Sequence, residues 1–165
     1  MRILGVDPGL AKMGWGIIEF KGNRLIHIAN GTVRTQPKQR MSDRLARIYA
    51  ELVQLITLWQ PDEVAVEETF VNKHNPQDAL KLGQARGVAL CAPATMGLSV
   101  SEYAANKIKK TVVGTGHADK KQVQMMIKTL MPLAEVHSAD AADALAIAIC
   151  HAHHAQSYTA MPLAE

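Results

Sequence analysis

Arg2–Gly9 reads RILGVDPG, and this stretch decides the fold. A short, apolar, β-rich run stopped by Pro-Gly is a buried strand, and an aspartate, Asp7, closes it. Outward from it, GWGIIEF (Gly14–Phe20) and RLIHIANGTVRT (Arg24–Thr35) are two further strands joined by a tight turn at KGN. Three strands at such spacing form an antiparallel meander. From about Ser42 to Trp59, apolar residues recur at Leu45, Ile48, Tyr49, Leu52, Ile56 and Trp59, a helical period ended by QPD.

The rest of the chain alternates. EVAVE (Glu63–Glu67) is a strand, DALKLGQARGVALCAPAT (Asp78–Thr95) a helix rich in small residues, and LSVSE (Leu98–Glu102) a brief strand. YAANKIKKTVV and, beyond a GTG break, ADKKQVQMMIKTLMP are helices, and an alanine-rich helix comes last. The order βββ-α-β-α-β-α-α-α predicts an α/β protein with a mixed five-stranded sheet and helices on both faces. MPLAE occurs at Met131–Glu135 and again at Met161–Glu165, too short a match to be a structural repeat.

Composition bounds the function. At 165 residues, 48% hydrophobic and 20% charged, the chain is an ordinary globular domain, expected over residues 1–155 with a loose tail at 156–165. Cys91 and Cys150 lie in apolar helical patterns and read as small buried residues in a reducing compartment. The N-terminus has no signal-peptide pattern and no apolar run reaches membrane length, so a cytoplasmic protein is expected. The net charge of +3 is mild, but NKIKKTVVGTGHADKK concentrates Lys107, Lys109, Lys110, Lys120 and Lys121 against Asp119 alone. Such a strip is either a solvated surface or a phosphate-contacting one.

The acids carry the chemistry. Asp7 closes the first strand and Glu67 closes EVAVE. If those strands are parallel neighbours, both carboxylates emerge at the strand ends where α/β sheets gather their sites. In HSADAADALAIA (His137–Ala148), Asp140 and Asp143 share one face of the last helix. Taken singly, Asp140 could be a cap, Asp143 a dipole partner and Asp7 a turn residue. Together, four converging carboxylates need a multivalent cation, and hard oxygen donors suit Mg²⁺ or Mn²⁺. Two such ions about 4 Å apart would serve phosphodiester hydrolysis. One is expected on Asp7 with Asp140 or Asp143, and the other on Asp7 with Glu67. Glu68 is a rival to Glu67, but strand alternation turns it to the other face. CHAHH (Cys150–His154) fits no zinc spacing and reads as a helix end with solvated histidines. His137, beside Asp140, is a surface histidine with a weaker case for a place near the metals.

ILGVDPG, VEETF, ALKLGQARG, TVVGTG with ADKKQVQ, and DAADALAIA together resemble the RuvC family of Holliday-junction resolvases, over about Ile3 to His153. The resemblance implies an RNase H-like fold, a homodimer and Mg²⁺-dependent nicking of opposite strands of a four-way DNA junction in recombination and repair, leaving 5′-phosphate and 3′-hydroxyl ends. It puts Asp7, Glu67, Asp140 and Asp143 on the catalytic acids, and Lys109 and Lys120 on basic positions for DNA contact and catalysis. It makes Phe70 a base-stacking aromatic, with Lys73 and His74 as DNA contacts in the following loop. It also implies a RuvA–RuvB branch-migration complex as partner. Departures are a loop one residue longer after Phe70, Glu68 where a neutral residue is common, and a tail that is not basic. The helix Asp78–Ala92, with Gly83, Ala85, Gly87 and Ala89, is either the dimer face or a close helix-on-sheet contact within one subunit. GVDPGLAKMGWGI is also similar to the first phosphate loop of actin-like ATPases, but no second such loop is visible. A junction-binding module without catalysis would have no need of all four acids.

Overall fold

The computed structural model describes residues 1–22, 24–68 and 75–159, with side chains to residue 155 in the last helix. Its strands are β1 (Arg2–Asp7), β2 (Lys12–Lys21), β3 (Arg24–Arg34), β4 (Glu63–Glu68) and β5 (Ser99–Ala104). The helices are α1 (Met41–Trp59), α2 (Pro76–Thr95), α3 (Ala105–Val113), α4 (Lys120–Leu130) and α5 (Ala139–Thr159). One five-stranded sheet runs β3-β2-β1-β4-β5, antiparallel from β3 to β1 and parallel from β1 to β5. The predicted element order, the meander and the mixed sheet are all present.

Strand alternation divides the core. Leu4, Val6, Ile17, Val64 and Val66 pack toward α1 and α2, with Ile48, Leu52 and Ala89. Ile3, Ile18 and Ala65 pack toward α3, α4 and α5, with Ile108, Ile127 and Leu145. By the same parity Asp7 and Glu67 belong to the α5 face. The β1–β4 register pairs Val6 with Val66, so the next residue on each parallel strand is an acid.

α5 lies across β1 and β2, and almost every residue from Ala141 to Ala152 is buried. Gly5 makes this close approach possible: a Cβ there would collide with the carbonyl oxygen of Ala144 and press on Ala148. The alanines of α5 and this glycine are two sides of one contact.

Two sequence expectations are corrected. Cys91 is exposed, because it falls on the outward face of α2, while Cys150 is buried as predicted. His151 is not solvated: it is 4% exposed, with Nε2 2.5 Å from Glu63 Oε2 and Nδ1 2.9 Å from Tyr103 Oη. Here α5 is still between β4 and α3, and the burial cost of the ring is offset by two polar partners. His153 is exposed, in line with the prediction, and His154 stacks on Tyr103.

Candidate active site

Asp7, Glu67 and Asp143 line one cleft of about 270 Å³ together with Lys109 and Lys120. β1 and β4 deliver the first two acids at adjacent strand ends, and α5 delivers Asp143 from above. Ala105, Ile108, Val123 and Ala146 form the apolar part of the wall. Asp140 does not line this cleft, but its charge acts on both Asp7 and Lys120.

The electrostatics record the crowding. Burial, and after it the charges of Glu67, Asp143 and Asp140, pushes the Asp7 carboxyl up to about 8, against the pull of Lys120. Glu67 is raised by burial and by Asp143, against Lys109 and Lys120. Lys120 is raised in turn, chiefly by Asp143, whose Oδ2 accepts a hydrogen bond from its Nζ at 3.2 Å. Clustered carboxylates this reluctant to ionise are what a divalent cation would relieve.

The donor set fits such an ion in kind, being carboxylate oxygen throughout. In position it is looser: among the described residues, no three His, Cys, Asp or Glu side chains already form a metal cage. Lys120 partly neutralises Asp143.

The start of α5 shows why Asp140 is free to act. Ser138 Oγ accepts from the Ala141 N–H at 3.1 Å, so Ser138 takes the capping role that Asp140 could have filled. At α4 the cap is Asp119, in a capping box with Gln122. Glu68 does not line the cleft. Phe70, Lys73 and His74 lie outside the described residues. His137 is exposed, and its backbone N–H donates to Asn30 Oδ1 at 3.3 Å.

Comparison with known proteins agrees with this geometry. The family model described as "Crossover junction endodeoxyribonuclease RuvC" matches residues 3–151. The chain belongs to the RuvC family.

RuvC of Rhodopseudomonas palustris is 59% identical over 154 residues, which cover 93% of this chain and 88% of that one. RuvC of Bradyrhizobium diazoefficiens is 59% identical over 157 residues, 95% of this chain and 89% of that one. A solved structure of Thermus thermophilus RuvC in complex with a Holliday junction substrate superposes with a TM-score of 0.89 at 34% identity, covering 99% of both chains. The fold is therefore RNase H-like, as the resemblance implied, and the family is one of metal-dependent crossover junction endonucleases.

Sequence reasoning missed the residues that hold the α4–α5 connection. Ser138 stands two residues before Asp140, an ordinary cap signal hidden by the neighbouring acids. Asn30, which bonds to that connection, lies in a strand and far away in sequence, where no local pattern could reveal it.

Proposed function

We propose that this chain resolves four-way DNA junctions by paired symmetric nicks, with Mg²⁺ at Asp7, Glu67, Asp140 and Asp143. The observation that carries the reading is the convergence of three acids from three elements on one cleft, facing Lys109 and Lys120. A divalent cation bound there supplies Lewis-acid polarisation of the phosphate and an activated water. Two ions per subunit match the four-acid donor set, and Mn²⁺ is the natural substitute.

The chain's own residues do the rest. Asp7 and Glu67 present oxygens from the rigid sheet edge, and Asp143, with Asp140 one turn before it, presents them from α5. Lys120 and Lys109 face the phosphate and stabilise the charge that grows on it in the transition state. Ile108, Val123 and Ala146 keep one wall apolar and strengthen those charge interactions. Phe70 and Lys73 are the proposed junction contacts beyond the cleft, with Phe70 stacking on a base.

We also propose a homodimer built on α2. The small residues of this helix divide by function: Ala85 and Ala89 are buried against the sheet, whereas a Cβ on Gly83 or Gly87 would meet nothing within 4 Å. The fold of one chain therefore gives no reason for either glycine. With Leu80 66% exposed on the same helix, the pattern suits a second copy packing closely. Two sites facing opposite strands would give the paired nicks. Delivery by a RuvA–RuvB complex in the cytoplasm follows from the family resemblance. No helix among the described residues is long and apolar enough to cross a membrane.

The test is a synthetic four-way junction incubated with and without Mg²⁺, comparing the native chain with Asp7→Asn. Paired, symmetric, ligatable nicks that need Mg²⁺ and vanish in the variant are expected. Undiminished cutting by Asp7→Asn would overturn the reading.

A further inference from the structure

The connection that leads into α5 is held from a distance by β3. Along β3, Leu25 packs into the core on the α5 side and Ile28 into the core on the other side. The β2–β3 ladder slips at Ile17/Ile18, which pair with Ala29 and His27, so Ile28 is an extra, bulged residue. A bulge reverses the alternation beyond it. His27 before it and Asn30 and Thr32 after it consequently all reach the α5 side, where an unbroken strand would have turned Asn30 away.

Asn30 is only 8% exposed, and both polar atoms of its amide have partners. Nδ2 donates to the Glu135 carbonyl at 2.7 Å and to His27 Nε2 at 2.8 Å, while Oδ1 accepts from the His137 N–H at 3.3 Å. His27 must leave Nε2 bare to accept, so it is neutral with its proton on Nδ1. Burial, and then His137, lowers its affinity for a second proton. Thr32 Oγ1 meets Ser138 Oγ at 2.7 Å, and Ser138 caps the first turn of α5. Three residues of one four-residue segment, Glu135, His137 and Ser138, are thus tied to one strand, with Asp140 two positions further on.

We propose that Asn30 is a positioning residue for junction cutting, fixing how closely the start of α5 brings Asp143 into the cleft and the charge of Asp140 up to its edge. The inference rests on the four-carboxylate reading above. Its physical reason is the repulsion among those acids: without a tie, the start of α5 would relieve its charge by moving outward. The amide supplies a donor to the Glu135 carbonyl and an acceptor for the His137 N–H at once, which an ionised carboxylate, having no proton to donate, could not do. Partners that orient metal-binding side chains typically change metal affinity or activity about 10–100-fold when lost.

The experiment is Asn30→Ala in the full chain, read in three ways. Half-saturating Mg²⁺ for nicking a synthetic junction should rise about 10-fold, and Mn²⁺ binding to the DNA-free protein, followed by the EPR signal of the free ion, should weaken in parallel. Junction affinity in EDTA should stay within about 2-fold, because Asn30 faces no DNA in this reading. A merely structural role would lower stability without moving the Mg²⁺ requirement. If Asn30→Ala does not fold, Thr32→Val, which removes one hydroxyl at constant shape, carries the same test in the same direction. Unchanged Mg²⁺ requirement and Mn²⁺ binding in the folded variant overturn the inference. Asp7→Asn separates the two readings. If it cuts like the native chain, the carboxylate site itself is wrong. If it is inactive while Asn30→Ala binds Mn²⁺ normally, only the positioning role fails.

Discussion

Lys120 Nζ lies 3.2 Å from Asp143 Oδ2, joining the first residue of α4 to the first turns of α5 across the candidate active site. A lysine at a helix N-terminus opposes the helix dipole. α4 tolerates it because Asp119 and Gln122 close a capping box around that end. The lysine is therefore placed for the site rather than for its helix. Its side chain is 73% exposed, so the pair adds little to stability.

Replacing Lys120 with alanine should accordingly leave the melting temperature within a few degrees and lower single-turnover cutting about 100-fold, the usual scale for one lost electrostatic contact to a transition state. Arginine at the same position should recover part of the rate, since it keeps the charge with a different shape. Quench-flow on a labelled junction measures both. A stable variant cutting at the native rate would remove Lys120 from the chemistry.

Asp7 sets a pH dependence of stability. Its folded pKa, about 8, stands above its ordinary value of 3.8, so folding favours the protonated acid. That contribution is complete below the unfolded value and is lost as pH rises through the folded one. In metal-free protein, stability should fall between about pH 4 and pH 8, by at most about 1.4 kcal/mol per pH unit from this group. Asp7→Asn carries no such penalty, so it should melt higher than the native chain at pH 8 without metal, with the gain shrinking toward pH 5. Mg²⁺ should raise the native melting point at pH 8 more than that of the variant. Thermal melts at the two pH values, with and without Mg²⁺, decide it.

The sheet and the acid pair at its edge were legible because both follow from short-range rules. Pro-Gly marked the end of the first strand at Asp7, parallel pairing with EVAVE would bring Glu67 to the same strand ends, and period-two alternation chose Glu67 over Glu68. Asp140 and Asp143 were legible as an i, i+3 pair on a helix. His151 was misread, because its partners Glu63 and Tyr103 come from strands far back in the chain and nothing in CHAHH announces them. Cys91 was misread for a related reason: α2 is apolar on both sides, so periodicity could not say which side meets the sheet. Asn30 went unseen because its direction depends on a bulge, and a bulge is a property of the strand pair rather than of either strand.

Gly14 tests the closeness of α5 to the sheet at the site itself. It pairs with Asp7 across β1 and β2, and a Cβ there would collide with the carbonyl oxygen of Asp140. Backbone cannot swing aside as a side chain does, so Gly14→Ala must push the start of α5 away from Asp7. A cost of about 1–3 kcal/mol is expected from the overpacking. Activity should fall further than stability does, with a raised Mg²⁺ requirement, because a displacement of about 1 Å is enough to cost on the order of 100-fold in rate. Denaturant melts and metal titrations of cutting provide the comparison. Native activity in a folded Gly14→Ala would show that α5 need not sit this close.

The α2 face can be probed without touching the cleft. Gly87 has open space where a Cβ would go, so Gly87→Arg should leave the fold of one chain intact, at no more than the ordinary cost or gain of replacing glycine within a helix, under about 1 kcal/mol. In a dimer packed through α2, the same arginine would put its charge and bulk between two helices. The variant should therefore sediment as a monomer where the native chain sediments as a dimer. Its cutting of a cruciform in supercoiled plasmid should stop mainly at the nicked circle, because two independent cuts would replace one coordinated pair. A variant that remains dimeric and still linearises the plasmid would place the dimer contact elsewhere.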